Sequence, residues 1–457
     1  YSRANGTGTG FRSFTTTTFH PRGMGDAVVS PDGNRLFVPT VWAREDVLGR
    51  PPSDPGGGSS YHGGPCNDTG GVATAGLATF EVGAEDTTAE ADDLGQCGFG
   101  DVKDFPPTTL ISPNPDLVIQ GPEVAALDVT GAWLFVVNKM TNNVAVLPAQ
   151  SRISQSVPTT DSPFRFNTSG VRDLVKVGSG PTGIALTRDG KRAYVYNAFD
   201  HSISKLVQSG SGETATITTS GRAIKVADDV LPADVVAGRR LFFSATDTRM
   251  TATATGMACA SCHLEGREDG HVWQFPDGPR QTPSLAGRMT TATAPFHWNG
   301  QFSTLDAFLV ETVQNRMGGS GADTQMGAQL AAFIDSIQPP ENVLKSVGPT
   351  DAQLRGAQVF QKAECNSCHG GSALTDNTFH DVGTLVYSGL NPDTGLDRGL
   401  NVPSLLGIAR TGPYLHDGSA STLRSRIMAS RFTDLHGKTS ALSDFEIDDL
   451  VEYLKTL

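Results

Sequence analysis

The sequence contains the pattern Cys-x-x-Cys-His twice, as Cys259-Ala-Ser-Cys-His263 and as Cys365-Asn-Ser-Cys-His369. In this pattern the two thiols add to the vinyl groups of a haem, and the adjacent histidine reaches the iron. A structural zinc site needs four ligands, which two separate Cys-x-x-Cys pairs do not supply without further partners. We therefore expect two covalently bound haem c groups. The expected attachment residues are Cys259, Cys262, Cys365 and Cys368, and the expected proximal ligands are His263 and His369.

Amphipathic stretches flank both motifs. Residues 235–243 and 352–360 precede them, and residues 325–337 and 444–457 follow them. A helix, the haem motif, loops and a closing helix are the layout of a class I cytochrome c. The sequence thus predicts two mainly α cytochrome c-like domains, at 232–340 and 350–457. The two domains resemble each other, as the products of an internal duplication would.

The N-terminal part has a different pattern, with short strands separated by tight turns. Three segments are alike, at 26–42, 123–148 and 182–207. Each has an apolar strand, a turn containing Gly33, Gly131 or Gly190, and a second strand. The second and third segments continue into a further strand.

This repeat resembles the blades of a YVTN-type β-propeller, so we expect an all-β propeller over residues 1–210 and a polar linker over 211–231. Only three blades are recognisable, whereas propellers usually have about four to eight. Two explanations remain open. The propeller is incomplete in this chain and a separate chain completes it, or insertions at 43–75 and 84–115 disguise a small closed ring.

The 457 residues carry a net charge of −13, which argues against a nucleic-acid-binding protein because an acidic chain repels phosphates. An acidic surface suits a basic redox partner protein. No apolar run reaches the roughly 18 residues that a membrane-spanning helix needs, so we expect no membrane span.

Two cysteines remain outside the motifs, Cys66 and Cys97. Their simplest pairing is a disulfide, which requires an oxidising compartment; two free buried thiols are the alternative. Haem attachment through Cys-x-x-Cys-His is likewise completed outside the bacterial cytoplasm. Both features predict a periplasmic or extracellular protein.

The segments after each motif carry a more specific resemblance. The first motif precedes 271–285, with HVWQFPDGPRQTPSL, and then 295–300, with PFHWNG. The second precedes 379–383, with FHDVG, then 401–405, with NVPSL, and 413–418, with PYLHDG. In order and spacing, residues 232–457 resemble the bacterial dihaem cytochrome c peroxidases, a family that includes the MauG-type enzymes.

The resemblance implies roles for several residues. His271 matches the distal histidine, which makes it the expected sixth ligand, or a displaceable pocket histidine, of the first haem. Trp298 matches the tryptophan on the electron path between the haems. The family's calcium positions fall on Gln281, Asn401 and Pro403, where glutamine replaces the usual asparagine.

Two positions depart from the peroxidase pattern. Phe308 stands where the family has a glutamine, and Arg316 stands where it has a glutamate before Met-Gly. Peroxide cleavage needs a base, which neither residue provides. Arg316 could still polarise peroxide as a cation, and Glu311 or Asp306 could replace the base; the alternative for these two acids is an ordinary solvated helix face.

The sixth ligand of the second haem is also altered. The family places a methionine or tyrosine at a position that is Ser430 here. The candidates are His436, in a polar loop, and Met428, which has the helical spacing of a core residue. We favour His436, and we expect His380 and His416 to donate hydrogen bonds rather than to bind iron.

Three functions therefore stay open: a dihaem oxidoreductase with peroxide-linked chemistry, an electron-transfer module in which both irons are closed, and a propeller that binds a partner in a redox complex.

Overall fold

The computed structural model describes most of the chain in two compact units. The described residues are 19–44, 73–81, 91–92, 101–102, 107–109, 119–149, 171–210, 215–252, 256–275, 278–287, 290, 292–386 and 396–457. The β-rich unit comprises Tyr1–Ser261 and Val313–Gly321, and the helical unit comprises Cys262–Thr312 and Ala322–Leu457.

The described residues of the β-rich unit form three antiparallel sheets of four or five strands and one two-stranded pair. The first sheet comprises β1 (Phe19–Met24), β2 (Val28–Val29), β3 (Arg35–Arg44), β4 (Ala73–Glu81) and β7 (Pro107–Thr109), and the separate pair is β5 (Ala91–Asp92) with β6 (Asp101–Val102). The second sheet comprises β8 (Pro122–Leu127), β9 (Trp133–Asn138), β10 (Asn143–Pro148) and β11 (Asp173–Lys176). The third comprises β12 (Pro181–Leu186), β13 (Arg192–Asn197), β14 (Ser202–Ser209), β15 (Thr216–Thr219) and β16 (Ile224–Lys225).

The repeat found in the sequence corresponds to the hairpins that begin each sheet. The predicted tight turns join β2 to β3, β8 to β9 and β12 to β13. In the second hairpin, Asp128 accepts hydrogen bonds from the Thr130 hydroxyl and from the Trp133 backbone N–H, while Gly131 has a φ of 68°. A short acceptor side chain followed by a glycine thus closes the turn.

Apolar side chains fill the space between successive sheets. One core joins the first and second sheets and includes Phe37, Leu77 and Val136. Another joins the second and third sheets and includes Val137 and Val195. In β9 the buried residues run consecutively because neighbours such as Val136 and Val137 point into different cores, whereas β13 of the third sheet buries only alternate residues.

The stretch 211–231, predicted as a linker, differs from that expectation. It contains β15 and β16, and both pair with β14. Threonine and isoleucine dominate residues 216–219, and β-branched side chains favour extended backbone even where the surface is polar. The linker prediction is corrected at these residues, whereas the other domain boundaries stay a prediction.

The remaining elements are mainly helical. The helices are α1 (Ala233–Phe243), α2 (Leu305–Leu309), the π-helix Val310–Arg316, α3 (Thr324–Ser336), α4 (Val343–Ser346), α5 (Asp351–Lys362), α6 (Leu423–Ala429) and α7 (Asp444–Leu454). Short 3₁₀ turns lie at Cys259–Ser261, Leu264–Gly266, Cys365–Ser367 and Ile408–Arg410, and short strands form the pairs β17 (Val272–Phe275) with β18 (Gly278–Gln281) and β19 (Phe379–His380) with β20 (Leu400–Asn401). The four helices predicted around the motifs correspond to α1, α3, α5 and α7.

Residues 350–457, which we call the C-terminal lobe, are built around the contact between α5 and α7. Gly356 makes this contact possible, since a Cβ there would lie 2.0 Å from the Asp449 carbonyl oxygen. One turn later Phe360 packs edge-on against Tyr453, with ring centroids 5.3 Å apart. The glycine that precedes a phenylalanine by four residues is therefore the signature of a close helix crossing.

The first repeat divides differently. Helix α1 belongs to the β-rich unit, where Phe243 packs against Phe199 at 5.2 Å, whereas α3 belongs to the helical unit. The boundary between the units falls between Ser261 and Cys262, inside the first motif.

Two further predictions concern the chain as a whole. Cys66 and Cys97 lie outside the described residues, so their disulfide stays a prediction. Among the helices that the structure describes, none combines the length and apolar character needed to cross a membrane.

Candidate functional site

A cavity of about 400 Å³ lies inside the helical unit, next to the second motif. Cys365, Cys368 and His369 line it together, and much of the remaining wall is apolar. The 3₁₀ turn Cys365–Ser367 follows α5 directly and presents the motif to the cavity. Burial raises the pKa of the Cys365 thiol to about 11, which disfavours the thiolate that a zinc site requires.

His369 is held as a neutral imidazole with a fixed orientation. Its Nδ1 donates to the Leu374 carbonyl oxygen at 3.3 Å, so Nε2 is the nitrogen with the free lone pair. Burial lowers the pKa of this histidine, which favours the neutral form that binds metals. A backbone carbonyl that orients a ligand histidine is the usual second-shell arrangement in metal sites.

His436 shares the cavity with His369. Their ring centroids are 6.0 Å apart and the rings are inclined by 64°. Burial, together with the positive charge of Arg426, lowers the pKa of His436 to about 3, so this imidazole is also neutral. Met428 instead packs against the apolar core of the C-terminal lobe, and its sulfur lies 3.9 Å from Nη1 of Arg431.

Two other histidines, His380 and His416, also line the cavity. Nε2 of His380 lies 2.8 Å from the Thr378 hydroxyl and 3.6 Å from the Cys368 sulfur. His416 is fully buried, and its ring meets Trp298 edge-on at 6.3 Å. Ser430, at the family's ligand position, is buried close to Arg426.

The structure brings Trp298 and the predicted calcium residues to one wall of the same cavity. Nε1 of Trp298 donates to the Gln281 carbonyl oxygen at 2.9 Å, and the Trp298 carbonyl accepts from the Asn401 N–H at 2.8 Å. The side-chain amide of Gln281 donates to the Thr411 carbonyl oxygen at 3.0 Å. Oδ1 of Asn401 is buried without a hydrogen-bond partner among the described residues, as an oxygen that faces a cation would be. Pro403 lines the cavity beside it.

At the first motif, His263 has the same type of orienting bond as His369. Its Nδ1 donates to the Pro283 carbonyl oxygen at 3.0 Å. The predicted distal residue His271 lies at the start of β17, where its ring packs edge-on against Trp273 at 4.7 Å. This position alone does not establish ligation, so the role of His271 as sixth ligand stays a prediction.

The residues predicted to act on peroxide lie on or near the π-helix. Glu311 and Arg316 are half-buried within it, and Asp306 is exposed on α2. Phe308 packs in a cluster with Phe296 and Phe302, at ring distances of 6.0 and 5.9 Å. The position where the family has a glutamine is thus part of an aromatic cluster.

Comparison with known proteins agrees with this arrangement. Residues 353–457 match the family model of cytochrome c. The hydrazine synthase subunit gamma of Kuenenia stuttgartiensis is 29% identical over 256 residues, which are 44% of this chain and 72% of that protein. MauG, the methylamine utilization protein, from Methylophilus methylotrophus is 25% identical over 289 residues (48% and 81%), and cytochrome c551 peroxidase from Nitrosomonas europaea is 24% identical over 275 residues (48% and 78%).

The helical part of the chain is related to the dihaem peroxidases and MauG. These relatives are oxidoreductases, and the resemblance seen in the sequence is confirmed. The C-terminal lobe fits the covalent haem c of a cytochrome c domain, because both thiols and the oriented His369 face one cavity. When bound there, the haem supplies one-electron redox chemistry, while the chain supplies its attachment, its ligands and the surrounding charges.

One residue of the cavity was missed by the sequence analysis. Arg426 lies on α6 between Leu423 and Ile427, and it is buried although it is charged. The available signal was an arginine on the apolar stripe of a short helix, three residues after one core leucine. Such a position predicts a buried charge, and a buried charge requires a partner.

Proposed function

We propose that this chain is an exported dihaem c-type cytochrome oxidoreductase, in which His369 and His436 would hold the haem of the second motif and that haem would supply electron transfer. The observation that carries this proposal is the 6.0 Å separation of the two imidazole rings across the cavity. Neutral imidazoles on both sides favour a low-spin iron of low potential, suited to electron transfer rather than to binding peroxide.

The distance discriminates between two roles for His436. A metal–imidazole bond is about 2 Å, so two rings on opposite sides of one metal have centres about 6 Å apart. A distal base that acts on bound peroxide must instead lie farther from the metal, since the peroxide occupies the space between. The observed separation supports direct ligation.

The first motif is the candidate site for substrate or peroxide chemistry, which is the second function that we propose. Glu311 and Arg316 lie on a π-helix, an element that is frequent at functional sites. Glu311 would take and return a proton as the base, and Arg316 would supply a positive charge to the substrate. Trp298 would carry electrons between the two sites. The aromatic cluster around Phe308 argues against a mechanism that copies the usual peroxidase.

The test is an optical and EPR titration of the full-length protein, as isolated and half-reduced, with cyanide and H₂O₂. We expect the second haem to stay low-spin in every redox state. A high-spin signal at the first haem that binds cyanide and consumes peroxide would support the enzyme. If both haems stay closed and inert, the chain is an electron carrier.

Two variants assign the ligand of the second haem. His436→Gly should produce a high-spin, cyanide-binding second haem, whereas Met428→Leu should leave the spectrum unchanged. The opposite result would make Met428 the ligand and would overturn the proposed His369–His436 pair.

For the β-rich unit we propose blades of a β-propeller, completed by a separate chain. The three sheets pack face to face in chain order. On the third sheet, Tyr194 and Tyr196 point away from the core and remain 37% and 39% exposed. A further blade would cover them, and comparing the native complex with the isolated chain by mass spectrometry would reveal it.

Calcium at Gln281, Asn401 and Pro403, and export to the periplasm, complete the proposal. The buried Oδ1 of Asn401 supports the calcium site, and an Asn401→Asp variant with calorimetric Ca²⁺ titration tests it. Covalent haem attachment supports export, which cell fractionation tests.

A further inference from the structure

Arg426 is a charged side chain inside the wall of the cavity beside the second motif. It lies on α6, whose first turn is fixed by a capping box between Thr422 and Ser425. Only 6% of the residue is exposed, and its neighbours on the same face are Leu423 and Ile427. The helix therefore directs a guanidinium, which is normally solvated, into a largely apolar cavity.

The hydrogen-bonding capacity of Arg426 is mostly unused. Nη1 donates to the Ser430 hydroxyl at a long 3.5 Å. Nε and Nη2 are buried and have no hydrogen-bond partner among the described residues. Burial lowers the pKa of the guanidinium to about 10, so the side chain still carries its charge at neutral pH.

The acids nearest in the fold are engaged elsewhere. Asp417 is near enough to act on Arg426 electrostatically, but its Oδ1 accepts hydrogen bonds from the Ser419 N–H and hydroxyl at 3.1 and 2.7 Å. Asp434, which also lines the cavity, accepts from the Ser440 N–H and hydroxyl, each at 2.7 Å. A planar guanidinium with two available N–H groups matches a carboxylate, which binds both at once.

We propose that Arg426 binds a carboxylate of the haem attached at Cys365 and Cys368 and that its charge raises the reduction potential of that haem. Haem c has two propionate groups, which enter the cavity with the macrocycle. A fixed positive charge near His436 disfavours the oxidised iron, which carries one more positive charge than the reduced iron. This inference rests on the haem attachment and on the His369–His436 pair proposed above.

The test is spectroelectrochemical titration of the full-length holoprotein. In Arg426→Gln the ratio of reduced to oxidised second haem, at a fixed applied potential, should fall at least tenfold, a shift of about 59 mV for one electron. Arg426→Lys keeps the charge without the two-pronged bond and should fall between the wild type and the glutamine variant. An unchanged potential in both variants would overturn the proposal.

Arg424→Gln is the matched control. Arg424 is two residues away on the same helix, but it is exposed and pairs with Asp448 at 2.8 Å. Its variant should keep the wild-type potential. If it shifts the potential as much as Arg426→Gln, the effect is a long-range surface charge, and the specific role of Arg426 is wrong.

Two further measurements complete the test. One distinguishes a haem carboxylate from a soluble anion at Arg426, and the other distinguishes a failure of this inference from a failure of the proposed function. If Arg426 holds the haem carboxylate, the potential is independent of added acetate or chloride at constant ionic strength; a dependence lost in Arg426→Gln would show instead that a soluble anion occupies the site. A high-spin second haem in the wild type would refute the closed coordination of the proposed function, while the Arg426 shift would remain measurable in the same titration.

Discussion

The two Cys-x-x-Cys-His regions share a motif and flanking helices, yet they fold in different contexts. Around the second motif, residues of α5, α6 and α7 line one cavity together with residues from the segment 268–298, and the rings of His369 and His436 lie 6.0 Å apart in it. Around the first, the chain divides between two compact units within the motif itself, and α1 packs with the β-sheets. The helices around the second motif thus lie within one compact unit, whereas the first motif is divided between two.

The difference shows that the motif fixes attachment but not coordination. In both regions a backbone carbonyl orients the motif histidine, from Pro283 for His263 and from Leu374 for His369. What differs is the surroundings of the histidine that we propose as the second ligand. At the second motif a loop after α6 brings His436, and at the first the candidate His271 packs on Trp273.

The largest expected effect is the loss of one haem. The double variant Cys365→Ser with Cys368→Ser should halve the covalent haem content, because each motif is expected to hold one group through its own two thiols. The measurement is haem per polypeptide by the pyridine haemochrome method. The matching double variant, Cys259→Ser with Cys262→Ser, should retain the low-spin spectrum of the second haem. If either double variant loses both haems, the two regions do not mature independently.

Equivalent phenylalanines of the two repeats provide the next contrast. Phe360→Ala and Phe242→Ala each remove a buried ring and should each cost about 4 kcal/mol. Since α1 belongs to the β-rich unit, Phe242→Ala should raise hydrogen exchange in the third sheet, and Phe360→Ala should raise it in α7. If Phe242→Ala leaves the sheets protected and raises hydrogen exchange in α3 instead, α1 packs with the closing helix of its own repeat, as α5 does with α7.

The close crossing of α5 and α7 can be tested with one methyl group. Gly356→Ala would place a Cβ against the Asp449 carbonyl oxygen and 2.7 Å from the Tyr453 Cβ, so the helices must separate, at a cost of about 3 kcal/mol. Calorimetry, with Soret absorbance to follow the second haem, measures the loss. Gly183→Ala is the control, because its Cβ would have an ordinary 3.8 Å contact with the Tyr196 Cβ. Equal melting temperatures for the two variants would show that the contact between α5 and α7 accommodates the added methyl group without loss of stability.

Much of this organisation could be predicted from the sequence. The period of apolar residues identified α1, α3, α5 and α7, and turn residues such as Gly131 identified the hairpins. These signals are local, since propensity and patterning act within a few turns of chain. His436 was a candidate for the same reason, because a histidine in a polar loop has no obvious core role.

The features that the sequence did not predict depend on which elements pack against each other in the folded chain. The amphipathic face of α1 does not reveal that Phe243 packs on Phe199, in the turn between β13 and β14, because a helix and such a turn bury the same apolar stripe. Residues 216–219 looked like a polar connector, because a strand exposed on one face has little apolar signal. Arg426 was missed because the helical spacing of Leu423, Ile427 and Met428 was used only to identify apolar core residues, and the sequence does not show that α6 lines a cavity.

The smallest expected effect concerns the start of α7, in the lobe that holds the second motif. The Lys362 ammonium, 2.5 Å away, and the N–H of Ser443 lower the pKa of Glu446 to about 2. A carboxylate with a depressed pKa stabilises the folded lobe above its unfolded value, near 4.5, and this contribution disappears as the pH falls from about 4.5 to about 2. The pair is solvent-exposed, so the contribution is no more than about 1 kcal/mol.

Glu446→Gln keeps a residue suited to the capping box but removes the charge. The free energy of unfolding of the lobe should therefore fall less steeply as the pH drops from about 4.5 to about 2. Urea unfolding at several pH values between 2 and 6, followed at the second haem, measures this slope. Glu452→Gln is the control, because Glu452 lies on the same helix, outside the cap, and pairs only locally with Lys455. If Glu452→Gln weakens the pH dependence of the unfolding free energy equally, the acid sensitivity comes from the net charge of α7. If only Glu446→Gln does so, the acid sensitivity belongs to the junction between α5 and α7. That junction involves the helix leading into the second motif, so the same pH range should loosen the second haem before the first.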